Sequence, residues 1–151
     1  MKTDLTVAGF LFHKNKVLLI HHRKLNLWLP PGGHIGKNET PDEALERELK
    51  EELGLEIEIL NRKTVPMGGN IKKQLAVPFY VNVHSVGGHD HCCFFYVCKS
   101  KNPEKLKINE NELKNFAWFS IGGLNAESIP EDVRSIAIEA FKAFNAERAS
   151  K

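Results

Sequence analysis

Two periodicities alternate along the chain. Leu5 to Phe12 and Lys16 to His21 are short apolar runs on either side of a polar His13-Lys14-Asn15 step, which predicts a β-hairpin. The period then changes to four. Leu45, Leu49 and Leu53 line one face of a helix predicted over 41–53. Both ends of that helix are signalled: Thr40 is the N-cap, Pro41 stands at the first helical position, Glu43 completes a capping box, and Gly54 fits the left-handed C′ position. Alternation returns from Glu56 to Val65, a predicted strand with Ile57 and Ile59 facing one way. Met67 to Asn70 reads as a turn. Two stronger strands, Ala76 to His84 and His91 to Lys99, flank a Gly87-Gly88 turn, and Phe116 to Phe119 is a short aromatic strand. A last helix, Pro130 to Arg148, starts near Ser128 and carries Val133, Ile136, Ala137, Ala140, Phe141 and Phe144 as its buried stripe. Strands on both sides of a helix, then hairpins, then a terminal helix predict an α/β sandwich with a mixed sheet, folded as one domain over 1–151.

The polar side of the first helix changes this picture from architecture to chemistry. Glu48, Glu51 and Glu52 fall at i, i+3 and i+4, so like charges gather beside the leucine stripe and repel. Ala44, one turn below Glu48, leaves room over that face. Arg47 is the nearby cation, and its spacing pairs it with Glu43 or Glu51 as an orienter of carboxylates. A solvated acidic face is the plain alternative. Hard oxygens in this number suit magnesium, with manganese as a substitute.

Charge adds a constraint. The whole chain carries a net charge of +2, yet nine of its 19 acidic residues lie between Glu39 and Glu58. A polyanion approaches such a region when divalent cations accompany it. Three cysteines without a framework spacing predict a reducing, cytoplasmic setting. The N-terminus lacks the layout of a signal peptide, and no apolar run reaches the ~18 residues that span a membrane. Pro31 to Asn38 mimics a phosphate-binding P-loop, but Pro31 replaces its first glycine and Asn38 its hydroxyl, so that reading fails.

One spacing is far more specific than any of these. Gly33, five residues, Glu39, seven residues, then Arg47-Glu48-Leu49-Lys50-Glu51-Glu52-Leu53-Gly54-Leu55 matches every fixed position of the Nudix box. The chain therefore resembles the Nudix hydrolases, the MutT-like pyrophosphohydrolases, with Trp28 to Gly32 as the usual approach to the box. The resemblance implies a Nudix-type α/β/α sandwich with a mixed, curved sheet and one helix on each face. It also implies a hydrolase of nucleoside diphosphates linked to another moiety, using Mg2+ or Mn2+. Glu48, Glu51 and Glu52 would hold the metal with the Gly32 carbonyl; Arg47 would orient them, and Glu39 would brace the loop by accepting backbone N–H groups. Arg23, where the chain leaves a strand, would grip a substrate phosphate, as an arginine often does at this place in the family; a solvated basic loop is its plain reading. A carboxylate before the aromatic strand would contact metal or the attacking water; Glu112 is the first choice and Glu110 the reserve. The loop carrying it is expected to swing in with substrate and metal.

Several readings stay open at this level. A non-catalytic nucleotide-sensing module of the same fold is the rival class, disfavoured by the intact box. Action on RNA 5′ ends is a third reading, although no basic stripe with interleaved aromatics marks a nucleic-acid partner. Monomer and homodimer are both compatible. Lys72 and Lys73 could reach phosphates. His84, His89 and His91 could share a face across a hairpin and hold zinc, but no C-x-x-C or H-x-x-x-H spacing supports it. The subgroup-marking tyrosine and proline are absent downstream of the box, where Ile71 and Asn70 stand, so the substrate is unspecified.

Overall fold

The computed structural model describes residues 2–150. Eight strands form one open, mixed sheet: β1 (Thr3–His13), β2 (Lys16–His22), β3 (Trp28–Leu29), β4 (Gly32–His34), β5 (Ile57–Ile59), β6 (Tyr80–Ser85), β7 (Asp90–Ser100) and β8 (Leu113–Phe119). The two helices are α1 (Pro41–Leu53) and α2 (Glu131–Ala149). The long strands β1 and β7 pair in parallel through the middle, and the other pairings are antiparallel.

Alternation along β1 explains the layering. Ala8, Phe10 and Phe12 face α2, where they meet Val133, Ala137, Ala140 and Phe141. Val7 and Leu11 point the other way, onto Leu45, Leu49 and Leu53 of α1. Both faces of the central strand are therefore dry, and all three leucines of α1 are fully buried. Gly9 is required on the α1 face: a Cβ there would stand 3.1 Å from Cys98 Sγ and 3.2 Å from a Leu45 methyl. Phe144 is only partly buried, yet its ring stacks on Phe12 at 4.3 Å.

One edge of β1 is shared. Phe12 and His13 pair with β2, whereas Thr6, Val7 and Ala8 pair with β4. The sheet splits between these partners, and the split opens one end of the sandwich. The hairpin turn is tight because Lys14 and Asn15 both take positive φ, at 50° and 60°.

The middle of the chain differs from its prediction. The expected strand from Glu56 to Val65 is reduced to Ile57–Ile59, and that from Ala76 to His84 to Tyr80–Ser85. Asn61 turns to φ 66° and its amide donates to the Val77 carbonyl, which ends β5. The segment beyond is tied by side chains rather than by a ladder. Gln74 bonds both the N–H and the C=O of Val65, and buried Asp42 accepts from the Ala76 N–H at 3.0 Å. Pairing with β7 resumes only from Phe79. Helix α2 begins one residue later than expected, after Pro130, with no side-chain cap from Ser128.

Candidate active site

Helix α1 forms as its caps dictate. The Glu43 N–H donates to Thr40 Oγ1 at 3.1 Å, Glu43 returns a bond to the Thr40 N–H, and Gly54 closes the helix at φ 67°. Leucines 45, 49 and 53 hold the helix against the sheet. That rotation carries Glu48 and Glu52 onto a cleft of about 1170 Å³ at the split end of the sandwich.

Glu52 is the unexpected member. It does not lie on the helix surface: only 4% of it is exposed. One carboxylate oxygen accepts from the Gly32 N–H at 2.9 Å. Burial pushes its pKa to about 8 against that bond, and the neighbouring Glu48, Glu112 and Glu51 add to the rise. Glu48 is half-buried and raised as well, first by burial, with Arg47 opposing. Gly33 shows how tightly the loop is drawn over it, since a Cβ on Gly33 would come within 2.4–2.7 Å of the Glu48 carboxyl group. Gly32 is just as constrained, against the backbone of Val7 and Ala8. Glu51 stands apart from the cleft and more than half exposed.

Arg47 reaches Glu51, one of the two partners its spacing predicts, but its shortest bonds go to the loop. Its guanidinium forks onto both oxygens of Glu39, at 2.7 and 2.9 Å. It also donates to Glu48 at 2.8 Å and to the His34 carbonyl at 3.0 Å, and lies 3.6 Å from Glu51. Glu43 is engaged in the capping box instead. Glu39 braces the loop as anticipated, accepting from the Gly36 N–H at 2.7 Å, and the Arg47 bonds hold its pKa at about 2. Arg47 thus connects loop and helix, which spacing along the helix alone could not reveal.

The opposite wall is built from β2 and the loop before β8. Arg23 and Glu112 both line the cleft, and Glu110 does not. Arg23 is tethered: its Nε donates to the Glu110 carbonyl at 3.0 Å, and its backbone N–H to the Glu112 carbonyl at 2.9 Å. The loop is further fixed to α1, where the Asn109 N–H donates to the Glu52 carbonyl at 2.9 Å. Lys72 and Lys73 are outside the cleft, with Lys73 4.0 Å from Glu43. Phe10, Phe95, Val133 and Ile136 give the cleft an apolar floor.

At the other end of the cleft the sheet assembles a second group. Among the described residues, Asp4, His34, His89 and His91 each offer a ligand atom, all within 4.8 Å of one another. Their sequence signal was partial: His89 and His91 were visible in the hairpin, but Asp4 and His34 join them only through the β1–β7 and β1–β4 registers.

The NUDIX domain family matches residues 2–139. This chain belongs to that family. A solved NUDIX-family hydrolase from Clostridium perfringens is 34% identical, with a TM-score of 0.79 over 95% of this chain and 99% of that one. An 8-oxo-dGTP diphosphatase from Buchnera aphidicola is 43% identical over 38% of this chain and 47% of its own length. An RNA pyrophosphohydrolase from Hydrogenovibrio crunogenus is 31% identical over 62% and 56% respectively. The chain thus spans about half the length of the curated relatives it matches. Among the described residues, no helix of this Nudix domain is long and apolar enough to cross a membrane.

Proposed function

We propose that the chain is a metal-dependent pyrophosphohydrolase acting on a nucleoside diphosphate linked to another moiety. The supporting observation is the pair Glu48 and Glu52, withdrawn from water on one wall of the cleft, facing Arg23 and Glu112 on the other. Two carboxylates whose pKa values are raised first by burial, with other glutamates adding to the rise, form a site that gains from a cation. Oxygen donors of this kind fit magnesium or manganese, and Glu48, Glu52 and the Gly32 carbonyl would hold the ion, with Glu51 joining from the rim. When bound, such a metal neutralises pyrophosphate oxygens and lowers the pKa of a coordinated water.

The chain's own residues supply positioning. Arg47 holds Glu48 by the same guanidinium that anchors Glu39, so the carboxylate keeps one orientation. Gly33 lets the loop approach without a side chain. Arg23 presents cationic charge toward the phosphates while its bonds to the 110–113 carbonyls keep it extended. Glu112 is placed to accept a proton from the attacking water or to orient it. Phe95, Val133 and Ile136, each slightly exposed, offer an apolar edge to a base or other non-polar portion of the substrate.

The test is product release from a substrate panel with and without magnesium. The panel includes 8-oxo-dGTP and RNA, which the relatives' names print, with nucleoside diphosphate conjugates beside them. Magnesium-dependent cleavage of any member that is lost in Glu48→Gln supports the reading. Tight nucleotide binding without turnover across the panel would replace it with the nucleotide-sensing one.

A further inference from the structure

We propose that Asp4, His34, His89 and His91 form a binding site for one zinc-class transition-metal ion, separate from the carboxylates of α1. The inference does not depend on the hydrolytic reading. It begins with register. In the parallel β1–β7 pair Asp4 lies opposite His91, and in the antiparallel β1–β4 pair Thr6 lies opposite His34. The turn between β6 and β7 then delivers His89. Three imidazoles and one carboxylate from separate elements converge, with Asp4 at the centre.

The two edges from Asp4 fit a tetrahedral ion, and all four ligand atoms lie within 4.8 Å of one another. Asp4 Oδ2 is 3.2 Å from His34 Nε2 and 3.3 Å from His89 Nε2. Zinc–nitrogen and zinc–oxygen bonds of roughly 2.0–2.1 Å imply a ligand-to-ligand edge of about 3.3 Å in a tetrahedron. His91 completes the set: its ring centre is 5.1 Å from that of His34 and 5.1 Å from that of His89. Its Nε2 is buried and has no hydrogen-bond partner among the described residues, a state that ordinarily destabilises its host. Asp4 Oδ1 turns to Lys2 at 3.6 Å, which leaves Oδ2 directed at the imidazoles.

Donor chemistry separates this group from the other end of the cleft. Imidazole-rich sets select zinc, cobalt, nickel or copper, whereas an all-oxygen set suits magnesium and manganese. An ion here would join β1, β4 and the β6–β7 turn, acting as a brace beside the loop that covers Glu48. The competing account is a plain ion pair, with Asp4 shared between two protonated imidazoles and no metal.

Cobalt(II) titration distinguishes them. The full chain is stripped with chelator and titrated with cobalt in excess magnesium, which occupies the oxygen sites. We expect one equivalent bound with the intense visible bands of tetrahedral cobalt, displaced by one equivalent of zinc. The double variant His34→Ala/His89→Ala should weaken binding by at least about tenfold to a hundredfold, and Glu48→Gln/Glu52→Gln should retain the bands. If the double histidine variant fails to fold, Asp4→Asn answers the same question, because its side chain is isosteric. Weak octahedral bands, or affinity unchanged by Asp4→Asn and by loss of the histidines, would overturn the proposal in favour of the ion pair.

Discussion

The two ends of the cleft treat charge in opposite ways. At the α1 end, carboxylates are withdrawn from water, and Glu48 has to share Arg47 with Glu39 and Glu51. Glu52 is buried with a single backbone donor, and its oxygen neighbours are other glutamates. At the β1 end, Asp4 already touches two imidazoles, and His34 is well exposed. One end stores repulsion that a hard cation relieves; the other is close to complementary before anything binds. The difference teaches that acidic groups alone do not define a metal site. Whether a site strains or settles its host depends on the counter-charge beside it.

The sharpest way to break the comparison is at Glu48 and Glu52. Either change to Gln should lower turnover by at least about a hundredfold, since loss of groups that merely support a metal site costs about 10–100-fold. Normal turnover of Glu52→Gln at limiting magnesium would remove it from the site. Next in size is Arg47→Ala, which frees Glu39 and Glu48 together. We expect a loss of about tenfold to a hundredfold, with little rescue by Arg47→Lys, because lysine lacks the planar fork that meets both Glu39 oxygens. Restoration by lysine would reduce Arg47 to a source of charge.

Titration of Glu52 gives an effect on stability. Its folded pKa of about 8 lies above the ordinary carboxylate value of 4.5, so the folded state holds the proton more tightly than the unfolded one. Stability of the metal-free protein should therefore be fully present below about pH 4.5 and decline as the pH rises toward about 8, by a few kcal/mol in all. Denaturant midpoints across that range measure it. The decline should shrink in Glu52→Gln, Glu48 keeping its own share, and shrink when magnesium binds the folded state. A flat profile in the unmodified, metal-free protein would refute it.

The smallest contrast is within one loop. Glu112→Gln should lower turnover about tenfold or more, in the range of general acid–base contributions. Glu110→Gln should be nearly silent, since Glu110 does not line the cleft and takes part through its carbonyl. Equal effects in turnover measurements at saturating metal would leave Glu112 no special role.

These contrasts also explain what could be read before folding. Helix α1, its caps, its leucine stripe and the carboxylates beside it are local, and 100° per residue is enough to place them. Leu5 to Phe12 was legible as an apolar run, though not which residues face each helix. Arg47's pairing with Glu51 follows helical spacing, whereas its main partner, Glu39, lies in the loop, outside that spacing. Glu52 was read as a surface group because only the covering loop, through Gly32, makes it buried. Asp4 and His34 were invisible as partners, because strand register depends on contacts remote in sequence. The strands expected at 56–65 and 76–84 were overstated where Asn61, Gln74 and Asp42 take the backbone bonds that a ladder would have used.

The tether between Arg23 and the loop before β8 has a kinetic consequence. The loop was expected to swing in with substrate. Its backbone is instead held at the carbonyls of Glu110 and Glu112, and at Asn109 by the end of α1. What remains free at Glu112 is torsion about its side-chain bonds. Such rotations occur in picoseconds to nanoseconds, whereas lids open and close in microseconds to milliseconds. Entry of the Glu112 carboxylate into the cleft is then a search among a few rotamers, and its entropy cost is that of one side chain rather than of an ordered segment.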